Sequence, residues 1–126
     1  LCFTSGGTEG DNLAVLGPWH ARREREPSRR AIVSSPVEHK AVLAAVHQAA
    51  HEGAEERLLA VDGAGRLTAA SIDAALRDDV AVCTAMWVNN ETGVVQDIPA
   101  LAARAGAVGA VMHTDAVQAF GKVPID

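Results

Sequence analysis

Asp115 is the residue whose type and position in this chain most strongly suggest chemistry. It follows a short apolar segment that includes Ala110 and Val111 and predicts a buried strand. Ligands bind at the carboxyl ends of strands in open α/β sheets. A carboxylate in that place suits the task of holding a proton on a ring nitrogen of a cofactor. A helix cap or a structural ion pair is the alternative interpretation of a single carboxylate at the end of an element.

A glycine-rich segment, Thr4–Gly10, opens the first predicted helix. Free backbone N–H groups, the helix dipole and small residues together favour an anion, and the hydroxyls of Ser5 and Thr8 are in reach. The segment lacks the Gly-Lys-Ser/Thr ending of a phosphate loop and the Gly-x-Gly-x-x-Gly fingerprint of dinucleotide-binding proteins, which disfavours a nucleotide-binding module. A plain helix-capping turn remains an equally good interpretation of the segment on its own.

Further polar side chains follow other predicted strands. His39 comes after a strand that ends at Ser35, and Asn89 and Asn90 come after the apolar run of residues 80–88. The plain structural interpretations are a capping or core histidine and a turn. Two adjacent carboxamides at the end of a buried strand are nevertheless well placed to bind a polar ligand.

The remaining histidines and the cysteines do not indicate a metal or redox site. His47 and His51 lie four residues apart, but the pattern His-Gln-Ala-Ala-His lacks the glutamate of the metalloprotease motif, so an exposed helix face is favoured. Cys2 and Cys83 are far apart and lack CxxC spacing, so both are predicted to be reduced and buried in a cytoplasmic protein.

The combination of these features is more informative than any one of them. An anion cradle, a histidine, an asparagine pair, and an aspartate followed by Gln118 all come after elements of one predicted sheet. This set matches a phosphorylated aromatic heterocycle bound across the strand ends. Pyridoxal phosphate has all the corresponding parts: a phosphate, a ring face, a phenolic oxygen and a ring nitrogen.

Strands and helices that would position these residues alternate along the chain. The predicted strands cover residues 31–35, 57–61, 80–88 and 110–112. Two predicted helices cover residues 9–16 and 38–52. A third predicted helix includes Ile72 and Leu76, and a fourth includes Leu101 and Ala105 and has Asp97 as its N-cap. This rhythm predicts an α/β fold of three layers, a mostly parallel sheet flanked by helices. Gly17-Pro18 predicts a kink or break in the first helix, with a restart at Pro18.

Composition excludes several classes of protein. The chain has 126 residues, of which 48% are hydrophobic and 3% aromatic, and a formal net charge of -5. It has no basic stripe interleaved with aromatics, which argues against nucleic acid as a partner. The basic cluster of residues 22–30 alternates with glutamates and predicts a solvated loop. No apolar stretch approaches the length of a membrane span and no signal peptide is visible, so a cytoplasmic location is expected.

Four segments, in order along the chain, resemble the cysteine desulfurases, which are pyridoxal-phosphate enzymes of the aspartate-aminotransferase-like fold. The segments are Phe3–Asn12, Glu38–Val42, Val88–Ile98 and His113–Gln118. The Asn-Asn-Glu-Thr-Gly and His-x-Asp-Ala-x-Gln patterns are specific, whereas the glycine-rich segment is shared more widely among related lyases.

The resemblance implies a role for each candidate residue. Gly7 and Thr8 would bind the cofactor phosphate, and His39 would stack on the pyridine ring as a catalytic residue. Asn90 would lie near the phenolic oxygen and the substrate carboxylate. Two residues that follow the final strand would bind the ring. Asp115 would pair with the protonated ring nitrogen, and Gln118 would donate to the phenolic oxygen. The implied reaction transfers sulfur from L-cysteine and leaves alanine and an enzyme persulfide.

The resemblance also implies that residues 1–126 are part of the large domain of a fold-type I enzyme. The chain begins without Met, and neither Lys40 nor Lys122 matches the position of the Schiff-base lysine. That lysine, the sulfur-accepting cysteine loop and the C-terminal small domain are expected outside this chain, so the chain alone is expected to be inactive. A homodimer and a sulfur-acceptor protein are expected partners of the whole enzyme, in the synthesis of iron–sulfur clusters or thio-cofactors.

Two other readings stay open at this stage. One is a selenocysteine lyase or a related lyase of the same fold, which differs in its substrate preference. The other is a non-catalytic descendant that keeps the fold as a binding or scaffold protein. The role of His113 is also open, between a buried structural histidine and a group that supports the site.

Overall fold

Helices and strands alternate along the chain in the computed structural model, which describes residues 1–125. The elements are α1 (Gly7–Arg25), β1 (Ala31–Ser34), α2 (Lys40–His51), β2 (Glu55–Leu58), α3 (Ala69–Ala75), β3 (Val80–Thr84), α4 (Ile98–Ala107) and β4 (Val111–His113). The strands form one sheet in the order β2-β1-β3-β4, and every neighbouring pair is parallel. The predicted α/β class is therefore confirmed.

Two apolar clusters, one on each face of the sheet, make the three layers. One cluster packs Val15 and Trp19 of α1 and Val46 of α2 against Ile32 and Val82. The other packs α3 and α4 against the opposite face, through residues such as Leu76, Leu101, Val33 and Cys83. Neighbouring residues of one strand, such as Ile32 and Val33, enter opposite clusters because strand side chains alternate between the two faces. The central strands are buried along their whole length.

The predicted bounds of all four strands differ from the observed ones, and the strand predicted at residues 31–35 ends one residue early, at Ser34. The strand predicted at residues 57–61 is β2, Glu55–Leu58. Within residues 1–125 it pairs with β1 alone, and its charged residues are typical of such an edge strand. The strand predicted at residues 80–88 ends at Thr84, and the following residues, although apolar, form the buried start of a loop. The last strand is Val111–His113 rather than residues 110–112.

The predicted break at Gly17-Pro18 is also wrong, because α1 runs unbroken from Gly7 to Arg25 with Pro18 inside it. Proline removes one backbone N–H and disfavours the preceding turn. The helix continues because Val15 and Trp19, one turn apart on either side of the pair, are both buried against the sheet. Tertiary packing thus outweighs the local preference at this position.

The basic cluster is only partly a solvated loop. Residues up to Arg25 form the last turn of α1, and Arg29 is half-buried. The Arg29 guanidinium donates from Nη1 to the carbonyl oxygens of Val80 (2.8 Å) and Val108 (3.0 Å). Gly109 has a φ of 73°, and a Cβ there would lie 2.6 Å from Arg29 Nη2, so the turn before β4 requires glycine.

Of the other predictions about single residues, some are confirmed and one is wrong. Cys83 is buried as predicted, whereas Cys2 is exposed, so the prediction that both are buried is wrong for Cys2. Burial raises the pKa of the Cys83 thiol to about 12. His47 and His51 lie on an exposed helix face, as predicted. Within residues 1–125 no helix is both long and apolar enough to cross a membrane.

Candidate functional site

A pocket of about 270 Å³ lies where the carboxyl ends of β1, β3 and β4 meet the start of α1. Its lining residues are Gly7, Thr8, Asp11, His39, Met86, Asn90, Asp115, Val117 and Gln118. All six residues that the sequence analysis proposed for the cofactor are among them. The structure thus brings together side chains that are up to 111 positions apart (from Gly7 to Gln118). Their individual roles remain predictions.

The start of α1 forms one wall of the pocket. Its N-cap, Gly6, provides no side-chain hydrogen bond to the first turn, so backbone N–H groups there are available to a ligand. A Cβ at Gly7 would lie 3.2 Å from Val117 Cγ2, so a larger residue would crowd this wall. The hydroxyl of Ser5 donates to Glu9 Oε2 (2.6 Å), and Ser5 does not line the pocket. Thr8, rather than Ser5, supplies the hydroxyl residue of the cradle.

His39 is both a helix cap and a pocket residue. Its Nδ1 atom accepts a hydrogen bond from the backbone N–H of Ala41 at 3.2 Å, which begins α2. Because a neutral imidazole has one acceptor and one donor nitrogen, this contact assigns the proton to Nε2. The capping bond fixes the ring beside the pocket, so the structural and functional interpretations of His39 are compatible.

The two adjacent asparagines have different tasks. The Asn89 carboxamide holds its own loop: Oδ1 accepts from the backbone N–H groups of Glu91 (2.9 Å) and Thr92 (2.8 Å). Its Nδ2 group donates to the carbonyl oxygen of Val37 at 2.9 Å, which ties this loop to the segment before α2. Asn90 lines the pocket instead. Only the second carboxamide of the pair is therefore available to a ligand.

Asp115 lies at the floor of the pocket and is 6% exposed. Its Oδ1 atom accepts from the backbone N–H of Val117 at 2.9 Å, which orients the carboxylate. No Lys or Arg within residues 1–125 forms an ion pair with it. A buried carboxylate without a protein cation is a favourable partner for a cationic ligand group. Gln118 follows on the same turn, where its Oε1 atom accepts from Lys122 Nζ.

Asp11 is a pocket residue that the sequence analysis missed. It is 6% exposed, and burial together with the nearby Asp115 carboxylate raises its pKa to about 6. Asp11 is four residues after Gly7, one helical turn along α1, so the helical period would have placed both on the pocket face. Asp11 directly follows the glycine-rich segment Thr4–Gly10.

His113 supports the site from below rather than lining it. Its Nδ1 atom is 2.8 Å from Thr84 Oγ1, and its Nε2 atom is 3.6 Å from Asp11 Oδ1. Burial lowers the pKa of the His113 imidazole, which favours the neutral ring. His113 therefore links the end of β3 to the pocket wall formed by α1.

Glu38 is a third buried acid beside the pocket, and the sequence did not indicate a role for it. It is 7% exposed, and its Oε1 atom accepts from Ser35 Oγ (2.6 Å) and from the backbone N–H of Met86 (2.7 Å). Burial raises the pKa of the Glu38 carboxyl to about 7, against the lowering effect of these two hydrogen bonds. No signal in the sequence distinguishes such a buried glutamate from an exposed one.

The parallel α/β sheet with a polar pocket at the carboxyl ends of its strands defines a class of ligand-binding domain. The chain belongs to the aminotransferase class-V family, since the sequence model of that family matches residues 1–126. Among curated relatives it is 46% identical over 129 aligned residues to an IscS-like cysteine desulfurase of Mycobacterium tuberculosis. It is 50% identical over 126 residues to a cysteine desulfurase of Cereibacter sphaeroides.

Solved structures with a similar fold also match this chain. The chain superposes on DndA from Streptomyces lividans with a TM-score of 0.89 and 41% identity, covering 98% of this chain and 34% of that one. It superposes on SspA in complex with cysteine with a TM-score of 0.84 and 32% identity, covering 93% of this chain and 33% of that one. The matches to the two curated relatives cover 100% and 99% of this chain, but only 33% and 32% of the relatives. The chain therefore spans about a third of the length of the proteins that it matches.

Proposed function

We propose that this chain is the cofactor-binding part of a cysteine desulfurase, the enzyme that takes sulfur from L-cysteine and leaves alanine and an enzyme persulfide. The observation that carries the proposal is the single pocket formed by all six residues expected to hold pyridoxal phosphate. The cysteine desulfurases among its relatives and the neighbour solved with cysteine support the substrate.

The start of α1 suits the phosphate of the cofactor. A 19-residue helix whose N-cap offers no side chain presents free N–H groups and the positive end of its dipole. The lack of a side chain at Gly7 keeps this end open, since a Cβ there would contact Val117. Gly7 and Thr8 would therefore hold the phosphate by backbone N–H groups and a hydroxyl.

The floor of the pocket suits the pyridine ring. Asp115, buried and without a protein cation, would hold the proton of the ring nitrogen. His39, fixed by its capping bond to Ala41, would cover the ring face. Gln118 would donate to the phenolic oxygen, and Asn90 would bind near that oxygen and the substrate carboxylate. The bound cofactor supplies an electron sink for bonds at the substrate α-carbon, and Asp115 maintains it by keeping the ring cationic.

The remaining parts of the enzyme would lie outside this chain. The lysine that anchors the cofactor and the cysteine that accepts sulfur would come from other segments of a longer protein, together with the small domain. The whole enzyme would be a cytoplasmic homodimer that passes sulfur to an acceptor protein for iron–sulfur cluster or thio-cofactor synthesis. Within this assignment, the name of the IscS-like relative supports the cysteine desulfurase activity.

Binding of pyridoxamine 5′-phosphate tests the cofactor site, because this amine form needs no lysine anchor. Isothermal titration of the chain should show one site per chain, and Asp115→Asn should raise Kd by about 10- to 100-fold through loss of the charged partner of the ring nitrogen. The matched control is Asp78→Asn, the same change at an exposed aspartate, which should leave Kd unchanged. Equal Kd values for wild type and Asp115→Asn would contradict the assignment.

Turnover provides a separate test of the division between this chain and the rest of the enzyme. The chain with pyridoxal phosphate and L-cysteine should release no sulfide, because the anchoring lysine and the sulfur-accepting cysteine are assigned to other segments. With a thiol reductant in both assays, which cleaves the enzyme persulfide and supplies the two electrons, the full-length protein should release sulfide and form alanine in equal amounts. Sulfide release by the chain itself would show that it contains its own catalytic lysine and cysteine.

A further inference from the structure

Glu38 is a buried acid that joins two walls of the pocket without lining it. Its Oε1 atom accepts from Ser35 Oγ at 2.6 Å, just after β1, and from the backbone N–H of Met86 at 2.7 Å, just after β3. Met86 lines the pocket, and the residue next to Glu38 is the pocket residue His39. One carboxyl oxygen thus connects the two loops that carry His39 and Met86.

Among residues 1–125, no Lys or Arg pairs with the Glu38 carboxyl. Its second oxygen, Oε2, is buried and has no hydrogen-bond partner among residues 1–125. The titratable groups near it are the acids Asp11 of α1 and Asp115 after β4, and the buried thiol of Cys83 of β3. His39, the adjacent residue on its own segment, is directed to its capping bond with Ala41. An unpaired buried carboxylate is costly, whereas a protonated carboxyl in the same place is not.

We propose that Glu38 is a positioning residue that acts as an uncharged acid, holding the loops of His39 and Met86 together across the ends of β1 and β3. The raised pKa of Glu38, about 7, agrees with this assignment. Toward the cofactor the inference rests on the proposed function: the segment that Glu38 holds carries His39, the residue proposed to cover the ring face.

Two substitutions separate position from charge. Glu38→Gln keeps an acceptor oxygen for Ser35 and Met86 and is neutral at every pH, so it imitates the protonated acid. Glu38→Ala removes the connection. With pyridoxamine 5′-phosphate as the probe, Glu38→Gln should bind within about threefold of wild type, and Glu38→Ala should bind about tenfold or more weakly. Glu24→Gln, the same change at an exposed position of α1, is the matched control and should have no effect.

Stability as a function of pH tests the charge state without any cofactor. The pKa of Glu38 is higher in the folded chain than in the unfolded chain. At pH values between these two pKa values the folded chain therefore binds more protons, and the free energy of unfolding falls as pH rises through that range. The urea midpoint of wild type should therefore fall more between about pH 5 and about pH 8 than that of Glu38→Gln. Glu24→Gln should keep the wild-type slope.

The outcomes are distinguishable. Weak binding by folded Glu38→Gln would show that the anion is required, and wild-type binding by Glu38→Ala would show that Glu38 does not position the pocket; either overturns the inference. If Glu38→Ala does not fold, Ser35→Ala removes one of the two bonds and should weaken binding in its place, and tight binding by Ser35→Ala would count against positioning. If wild type itself does not bind the probe while the two pH slopes differ as expected, the proposed function fails and the uncharged Glu38 stands.

Discussion

At the scale of single residues, the pocket separates acids by their environment. Asp115 and Asp11 both line the pocket and are both 6% exposed, but Asp115 accepts a backbone hydrogen bond, whereas the pKa of Asp11 is raised to about 6 by burial and by the Asp115 carboxylate. His113 approaches Asp11 at 3.6 Å but has a lowered pKa, so it is a neutral neighbour near pH 7 and not a full counter-ion. Burial beside a second acid thus favours the protonated form of Asp11.

Asp11→Asn should stabilise the chain at neutral pH and not in acid. The folded-state pKa of Asp11 is raised, so its favourable contribution is complete below the unfolded value and is lost as pH rises through about 6. The variant should gain about 1–3 kcal/mol in unfolding free energy relative to wild type near pH 7.5 and almost nothing near pH 4. Urea unfolding at both pH values measures the difference. An equal gain at both pH values would exclude a titration of Asp11, and Asp78→Asn serves as the exposed control.

The residues of the candidate site were predictable where they belong to a pattern. Polar side chains after apolar strands, and a glycine-rich segment at the start of a helix, indicated where the site lies, and the resemblance to the cysteine desulfurases selected the six residues that the structure collects in one pocket. Asp11, Glu38 and Met86 were missed because their importance comes from burial and from contacts to distant segments. Glu38, for example, meets Met86 48 positions away. Such contacts depend on how the strands pair, which no local pattern contains.

At the scale of elements, the sequence predicted the kinds of element and their order better than their ends. The central strands β1 and β3 are apolar because both faces of the sheet are covered, and both were predicted at their correct starting residues. The position of edge strand β2 was predicted two residues too late at its start. Its residues Glu55, Glu56 and Arg57 have charges that suit an exposed edge, so the segment lacks the apolar pattern of a strand. The ion pair of Arg57 with Asp79, at 2.8 and 2.6 Å, compensates for this polarity.

Helix α1 is expected to be stabilised when its internal proline is removed. Pro18 cannot donate the backbone hydrogen bond that an alanine would make to the preceding turn, and the helix is unbroken around it. Pro18→Ala should raise the unfolding free energy by about 1–2 kcal/mol, after allowance for the greater freedom of the unfolded chain. Pro99→Ala is the matched control, since Pro99 is in the first turn of α4, where proline is tolerated, and should give no gain. Equal effects at the two prolines in urea unfolding would refute this account of α1.

At the scale of the whole molecule, the two edges of the sheet differ. Edge strand β2 has charged residues, which discourage pairing with another chain. The other edge, β4, begins with Val111 and Met112 and within residues 1–125 pairs with β3 alone. The segment that follows β4 in the chain includes Val117, 62% exposed, and Phe120, 80% exposed. An apolar edge strand followed by exposed apolar side chains is the kind of surface that a partner, or a further segment of the same protein, covers.

The chain by itself is therefore expected to self-associate through the β4 side. Sedimentation velocity should show an average mass that increases with concentration, because pairing at the β4 edge and burial of Phe120 both favour contact between copies. Phe120→Ser should shift the association to higher concentration. Leu13→Ser, the same kind of change at an exposed apolar residue of α1, should leave it unchanged. If Leu13→Ser has the larger effect, association occurs through α1; a monomer at every concentration would show that the β4 side is stable in water without a cover.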